Sequence, residues 1–165
     1  MRLLHEPTAE ELIQAAGNPA DYDEIVFCGM GEATMRLDIV LEVARQLYGQ
    51  GTKLRLNTSG VANIEHKRNV APELAQWIES FSVSLNAQNE EVYNRHCHPR
   101  LEGTYASVLN FIQCAKEAGA SVTLTAVDGL DGVDIAECEA IAQKMGVNFR
   151  RRVLDTLVQP AQTFS

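Results

Sequence analysis

The sequence has no apolar stretch long enough to cross a bilayer, which takes about 20 consecutive apolar residues. Its opening residues, Met1-Arg-Leu-Leu-His-Glu-Pro7, also lack the apolar core and cleavage site of a secretory signal. These absences argue for the cytoplasm and against a membrane. Basic residues are scarce: 14 lysines and arginines stand against 22 acids, a formal net charge of −8, and the only basic run is Arg150-Arg151-Arg152. Phosphate neutralisation needs a basic face, so the balance argues against broad nucleic-acid binding and for a small ligand or a protein partner. Cysteine is sparse and scattered. Cys28, Cys97, Cys114 and Cys138 are far apart, with none of the close spacing that zinc knuckles or iron-sulfur loops use. Cys114 and Cys138 fall on apolar helical stripes and read as core thiols, which suits a reducing compartment.

What is present organises around Glu24-Ile-Val-Phe-Cys-Gly-Met-Gly-Glu-Ala-Thr-Met35. Ile25-Val26-Phe27 is a β-branched and aromatic run, the mark of a buried strand. It breaks at Gly29, and two glycines around Met30 are expected to let the backbone turn sharply and approach a ligand. Glu32 follows before a helical pattern begins near Leu37. A strand ending in Gly-x-Gly-Glu and feeding a helix puts free backbone groups and one carboxylate at the carboxyl edge of a sheet, where α/β folds bind ligands. The bland alternative is a tight connection and nothing more.

Along the chain, Thr8-Ala-Glu-Glu11 is a capping box that starts a helix from Ala9 to about Ala16, stopped by Gly17-Asn18-Pro19. The key strand follows, then a helix carrying Leu37, Val40, Leu41, Ala44, Leu47 and Tyr48 that ends at Gly49-Gln50-Gly51. Lys53-Leu-Arg-Leu56 is the next strand, closed by Asn57-Thr58-Ser59-Gly60. After a polar loop, Pro72 to Ile78 forms a short helix. Phe81 to Leu85 is the third strand, and Glu90 to Arg95 forms one helical turn ended by Pro99. A helix from Thr104 to Ala118 meets Gly119 as its left-handed stop. Val122 to Val127 is the fourth strand. Asp134 and Glu137 box the helix bearing Ile135, Cys138, Ile141 and Met145, and Val147 to Val153 is the fifth strand. Five alternations of strand and helix, with turns of a few residues, predict a parallel sheet. No ribose-binding acid follows the glycines at the dinucleotide spacing, so a partial β/α barrel is favoured over a doubly wound sheet. The chain opens, unusually, with a helix.

The stretches Cys28-Gly-Met-Gly-Glu-Ala-Thr34, Arg55-Leu-Asn-Thr-Ser-Gly60, Ser82-Val-Ser-Leu-Asn-Ala-Gln88 and Thr123-Leu-Thr-Ala-Val-Asp-Gly129, in that order, resemble the radical SAM superfamily. Glu6-Pro-Thr-Ala-Glu-Glu11 and Tyr93-Asn-Arg-His-Cys-His-Pro99 resemble its TatD-linked branch. The resemblance implies an α/β, TIM-barrel-like partial (β/α) barrel with parallel strands over residues 1–153, and a tail over 154–165. It implies a seat for S-adenosylmethionine across the carboxyl ends of the strands. In that seat Gly29, Met30, Gly31 and Glu32 match the segment receiving the methionine ammonium, a role that carbonyls and a carboxylate suit. Asn57 and Ser59 match positions near the carboxylate, Ser84 and Asn86 match ribose contacts, and Val127 and Asp128 match the adenine edge. Residue by residue a bland reading stays open: Asn57 to Gly60 as an Asx-type turn, and Ser84 and Asn86 as inward polar residues satisfied by backbone. The chain departs from the family at Ala33, where proline is common, and at Ser59, where Asn is frequent.

The larger departure is the family's Cys-x-x-x-Cys-x-x-Cys loop, which holds a four-iron four-sulfur cluster on the first β/α unit and does not occur in these 165 residues. The expectation is a truncated domain lacking the first strand of the core, unable alone to hold the cluster or to generate a 5'-deoxyadenosyl radical. Its exposed strand edge would then serve a homodimer, a cluster-bearing partner polypeptide, or a noncatalytic interaction role. His96-Cys97-His98 offers zinc-type ligands, but neighbours on an extended segment point apart, so no metal site is assigned there.

Overall fold

The computed structural model describes residues 5–29 and 31–153; Met30 and the tail at 154–165 lie outside the described residues. Helix α1, Ala9–Ala16, starts as the capping box requires: the Glu11 amide donates to Thr8 Oγ1 at 3.2 Å and the Thr8 amide donates to Glu11 Oε2 at 2.8 Å. Strand β1, Glu24–Phe27, follows, then a 3₁₀ turn at Ala33–Arg36 that runs directly into α2, Leu37–Leu47. Next come β2, Lys53–Thr58, the short helices α3, Ala62–Glu65, and α4, Ala71–Ala75, and then β3, Ser80–Ser84. Helices α5, Glu90–Cys97, and α6, Thr104–Glu117, precede β4, Ser121–Asp128; α7, Ile135–Met145, and β5, Asn148–Val153, complete the described chain.

The five strands form one open sheet in the order β1-β2-β3-β4-β5, every neighbouring pair parallel. A doubly wound sheet would reverse its order at a switch point; here the order is consecutive, which with right-handed crossovers keeps the helices on one face and curls the sheet as in a barrel. The alternation of side chains records the same layering. Leu54 and Leu56 of β2, Phe81 and Val83 of β3, and Val122 and Leu124 of β4 are buried against the helices, where Val108, Phe111 and Ile112 of α6 meet them. Phe81 and Phe111 stack at 5.9 Å. The residues between them on each strand, Arg55 and Asn57, Ser80 and Ser82, Thr123 and Thr125, project to the other, concave face, which is polar. Strands β1 and β5 are the two edges, each pairing on one side only among the described residues.

The short helix expected over Pro72 to Ile78 runs Ala71–Ala75, and three other differences from expectation have identifiable reasons. β2 continues through Asn57 and Thr58, because the β2–β3 ladder still pairs Asn57 with Ser82 and Thr58 with Val83. The turn expected at Glu90 to Arg95 is a full helix to Cys97: the Asn89 side chain accepts from the Val92 amide, acids occupy the first turn and Arg95 and His96 the last. His98, at φ 45°, ends it one residue before Pro99, so His96 and Cys97 sit on a helix end and not on an extended segment. Helix α3 occupies the stretch read as a polar loop. Its buried Asn63 accepts from the Val70 amide at 2.9 Å, so the polar residue serves as an internal brace.

Candidate functional site

The carboxyl ends of β1, β2 and β3 converge on a groove of about 270 Å³ lined by Cys28, Gly29, Gly31, Glu32, Asn57, Ser59 and Ser84. A second hollow of about 230 Å³ shares Ser59 and Ser84 with it and adds Asn86, Tyr93 and Cys97. Six of the sequence-derived site residues thus line the first groove, and Asn86 joins them through the second. Val127 and Asp128, at the end of β4, line neither, and the Asp128 carboxylate is ion-paired with Arg151. A larger cavity of about 690 Å³ lies between α5 and the start of α6 and shares His98, Pro99, Arg100 and Leu101 with the second hollow.

Glu32 has a different task from the one its exposure to the rim suggested. Its Oε1 accepts from the Thr34 amide at 3.1 Å, the Thr34 hydroxyl at 2.6 Å and the Thr58 hydroxyl at 2.8 Å. Its Oε2 accepts from the Ser59 amide at 2.7 Å and the Ser59 hydroxyl at 2.6 Å. A carboxylate offers about four lone-pair directions, so five donors leave it saturated. Glu32 is therefore a clamp that fastens the β1 loop to the end of β2, and half-buried charge-assisted hydrogen bonds of this kind are the strong ones. Thr58 also accepts from the Gly60 amide at 3.0 Å, and His66 Nε2 lies 2.7 Å from the Thr34 carbonyl, so the clamp reaches into α3. Thr34, Thr58 and His66 were not singled out in the sequence. The available signal was burial: Thr58 continues the Leu54 and Leu56 face, where a hydroxyl needs a partner.

With Glu32 saturated, the free acceptor in the groove is Asn57. Its Oδ1 is buried and has no hydrogen-bond partner among the described residues. A Cβ built on Gly31 would meet nothing within 4 Å, so this glycine borders open space. Gly29, in contrast, does not take the left-handed conformation, and its Cβ would sit 3.4 Å from the Gly31 carbonyl oxygen. That is an ordinary van der Waals contact, so a side chain fits there.

Asn86 takes φ 61°, which asparagine tolerates better than most residues, and its Oδ1 accepts from Arg152 at 2.9 Å. Below it, Tyr93 is buried and its ring lies 5.5 Å from that of Tyr105. Burial pushes the Tyr93 phenol up to about 12, with neighbouring Cys97 and then Glu32 adding to it, and burial does the same to Tyr105. Burial also raises the Cys97 thiol, partly offset by the Asn86 and Tyr93 side chains. Both phenols are held neutral by the fold, so their contribution to stability is complete below the ordinary tyrosine range and is lost as pH rises toward about 12. Urea unfolding from about pH 9 to about pH 12 is expected to show stability falling above about pH 10, with a shallower fall in Tyr93→Phe. A fall of equal slope in that variant would assign the loss elsewhere.

The arrangement is an α/β partial barrel with a polar groove over its strand ends, the architecture that binds small molecules at the carboxyl edge of a parallel sheet. The Radical SAM superfamily profile matches residues 2–145, and the chain belongs to that superfamily. No curated protein matches it. The crystal structure of HydG, a maturase of the FeFe-hydrogenase, is similar, with a TM-score of 0.59 and 16% identity, covering 100% of this chain and 39% of that one. At that identity the likeness speaks for the fold.

The superfamily implies two groups, and the residues answer differently to each. For S-adenosylmethionine the groove fits: an unpartnered buried acceptor, open space at Gly31, and hydroxyls of Ser59 and Ser84. For a four-iron four-sulfur cluster the described residues do not fit. Cys28 and Cys97 lie at the rim, Cys114 and Cys138 lie on α6 and α7, and no group of three or more His, Cys, Asp or Glu side chains could hold a metal among the described residues.

Proposed function

We propose that this chain is the S-adenosylmethionine-binding part of a radical SAM protein of the TatD-linked branch, working in the cytoplasm, and that the cluster is held by residues other than its four cysteines. The observation that carries the reading is the buried, unpartnered Asn57 Oδ1 in a groove at the ends of β1, β2 and β3. An acceptor in that state costs about 1–3 kcal/mol unless a donor meets it, and an ammonium is the donor the superfamily's ligand brings. Asn57, together with backbone carbonyls of the Gly29–Gly31 loop, would receive the methionine ammonium, while Glu32 fixes the loop that presents them. Ser84 would take the carboxylate or a ribose hydroxyl as donor or acceptor, the Ser59 hydroxyl, whose proton Glu32 takes, would serve as an acceptor, and Asn86 would border the ribose. The residues of the groove would hold S-adenosylmethionine, which would supply one-electron chemistry. The chain's own residues bind it, orient it and keep its charged end on fixed dipoles.

Calorimetry tests this. S-adenosylmethionine is expected to bind the wild type, and Asn57→Ala is expected to bind it at least about tenfold more weakly, the value of one hydrogen bond to a charged group. No heat with the wild type, or equal affinity in the variant, would overturn the reading.

A further inference from the structure

The concave face of the sheet extends beyond Asn57 and the groove to β5, and there it carries its own signal. Arg150 and Arg152 of β5 stand two residues apart and therefore on the same side of the sheet. That side is the concave one: Arg150 Nη2 donates to Ser82 Oγ at 3.1 Å, reaching over β4 to β3, and Arg152 donates to Asn86. Both partners are neutral. Among the described residues neither guanidinium meets a carboxylate, whereas Arg151 between them, on the opposite side, pairs with Asp128. In a chain of net charge −8, two cations side by side that meet no carboxylate among the described residues are a local reversal of the field.

Arg55 lies on the same face but apart from this pair. Arg55 of β2 pairs with Glu24 at 3.0 Å through Nη2, yet its Nε is buried and without a hydrogen-bond partner among the described residues. Arg55 neighbours Ser80 in register, one step along β3 from the Ser82 that Arg150 covers. Its fork is turned to Glu24 on β1, away from β3, and its row lies four residues of register from that of Arg150, so the hydroxyl of Ser82 is approached by the β5 side alone. Guanidinium forks and hydroxyls arranged this way match the oxygens of a carboxylate or phosphate.

We infer that the concave face holds an anionic group of a small molecule, carboxylate or phosphate, gripped by Arg150 and Arg152 over Ser82. As the substrate's site beside the cofactor it rests on the function proposed above; as an anion site it does not.

The test is nuclear magnetic resonance of the arginine Nε–H signals in the full chain, titrated with inorganic phosphate or acetate at constant ionic strength. Saturable shifts at Arg150 and Arg152 are expected, weakened at least tenfold in R150Q/R152Q and retained in R151Q. The stronger of the two anions identifies the group as phosphoryl or carboxylate. Linear, non-saturating shifts in the wild type, or an equal loss in R151Q, would overturn the inference whatever the fold of the double variant. Adding S-adenosylmethionine separates the two proposals: phosphate shifts that persist support a site of its own, while displacement would return these arginines to the cofactor. S-adenosylmethionine that releases no heat in calorimetry, with phosphate binding intact, would count against the groove alone.

Discussion

Replacing Glu32 by glutamine is expected to lower the unfolding free energy by about 2–4 kcal/mol, read as a shifted urea midpoint with an unchanged slope. The carboxylate is half-buried and takes five hydrogen bonds from Thr34, Thr58 and Ser59. Glutamine puts an NH₂ where one of the oxygens stood, and on either flip it faces a backbone amide, that of Thr34 or that of Ser59, which cannot turn away. A donor facing a donor leaves both unsatisfied. The hydroxyls can rotate, which is why the loss is held to a few kcal/mol. A neutral result would mean that the clamp is held by backbone alone.

Gly60→Ala is expected to cost a similar amount, about 2–4 kcal/mol, by combining left-handed strain with crowding. Gly60 has φ 81°, and an added Cβ would lie 2.9 Å from Val83 Cγ1 and 3.0 Å from Val108 Cγ1, both fully buried β-branched side chains with little freedom to move. Gly60→Asn separates the two causes. Asparagine tolerates the φ but carries the same Cβ, so a variant as unstable as alanine assigns the cost to β3 and α6 crowding, and recovery assigns it to the backbone. Because the Gly60 amide anchors Thr58, and Thr58 anchors Glu32, either variant also loosens the groove.

The alternation of strands and helices was legible because each element carries its own local marks: the capping box at Thr8, the cap at Asp134, the apolar period of α2 and the β-branched run of β1. The reciprocal half of the box expected at Asp134 and Glu137 does not form, because the Asp134 amide donates to Gln88 Oε1 at 3.2 Å. The rim residues from Gly29 to Asn86 were legible as a set, since parallel strands deliver their carboxyl ends to one edge. The use of each residue was not. Glu32 finds Thr58 and Ser59 some 26 and 27 positions away, a contact no local pattern records, so a carboxylate at a turn read as a ligand group when it is a fastener. Asn57 read as the start of a turn because its place on β2 depends on pairing with Ser82 of β3. The three consecutive arginines near the end read as one basic run; strand geometry divides them, with Arg151 on the side of Asp128 and its two neighbours over the opposite face.

The consecutive strand order has a consequence for how the molecule is made. Among the described residues, each of β2 to β5 leaves the ribosome with its earlier neighbour already synthesised, so none of these strands waits for a distant one and they can add in order. Every parallel ladder still spans a helical crossover, which makes each addition slow compared with a hairpin. Pauses in translation after each helix should therefore raise the yield of native protein more than pauses within strands.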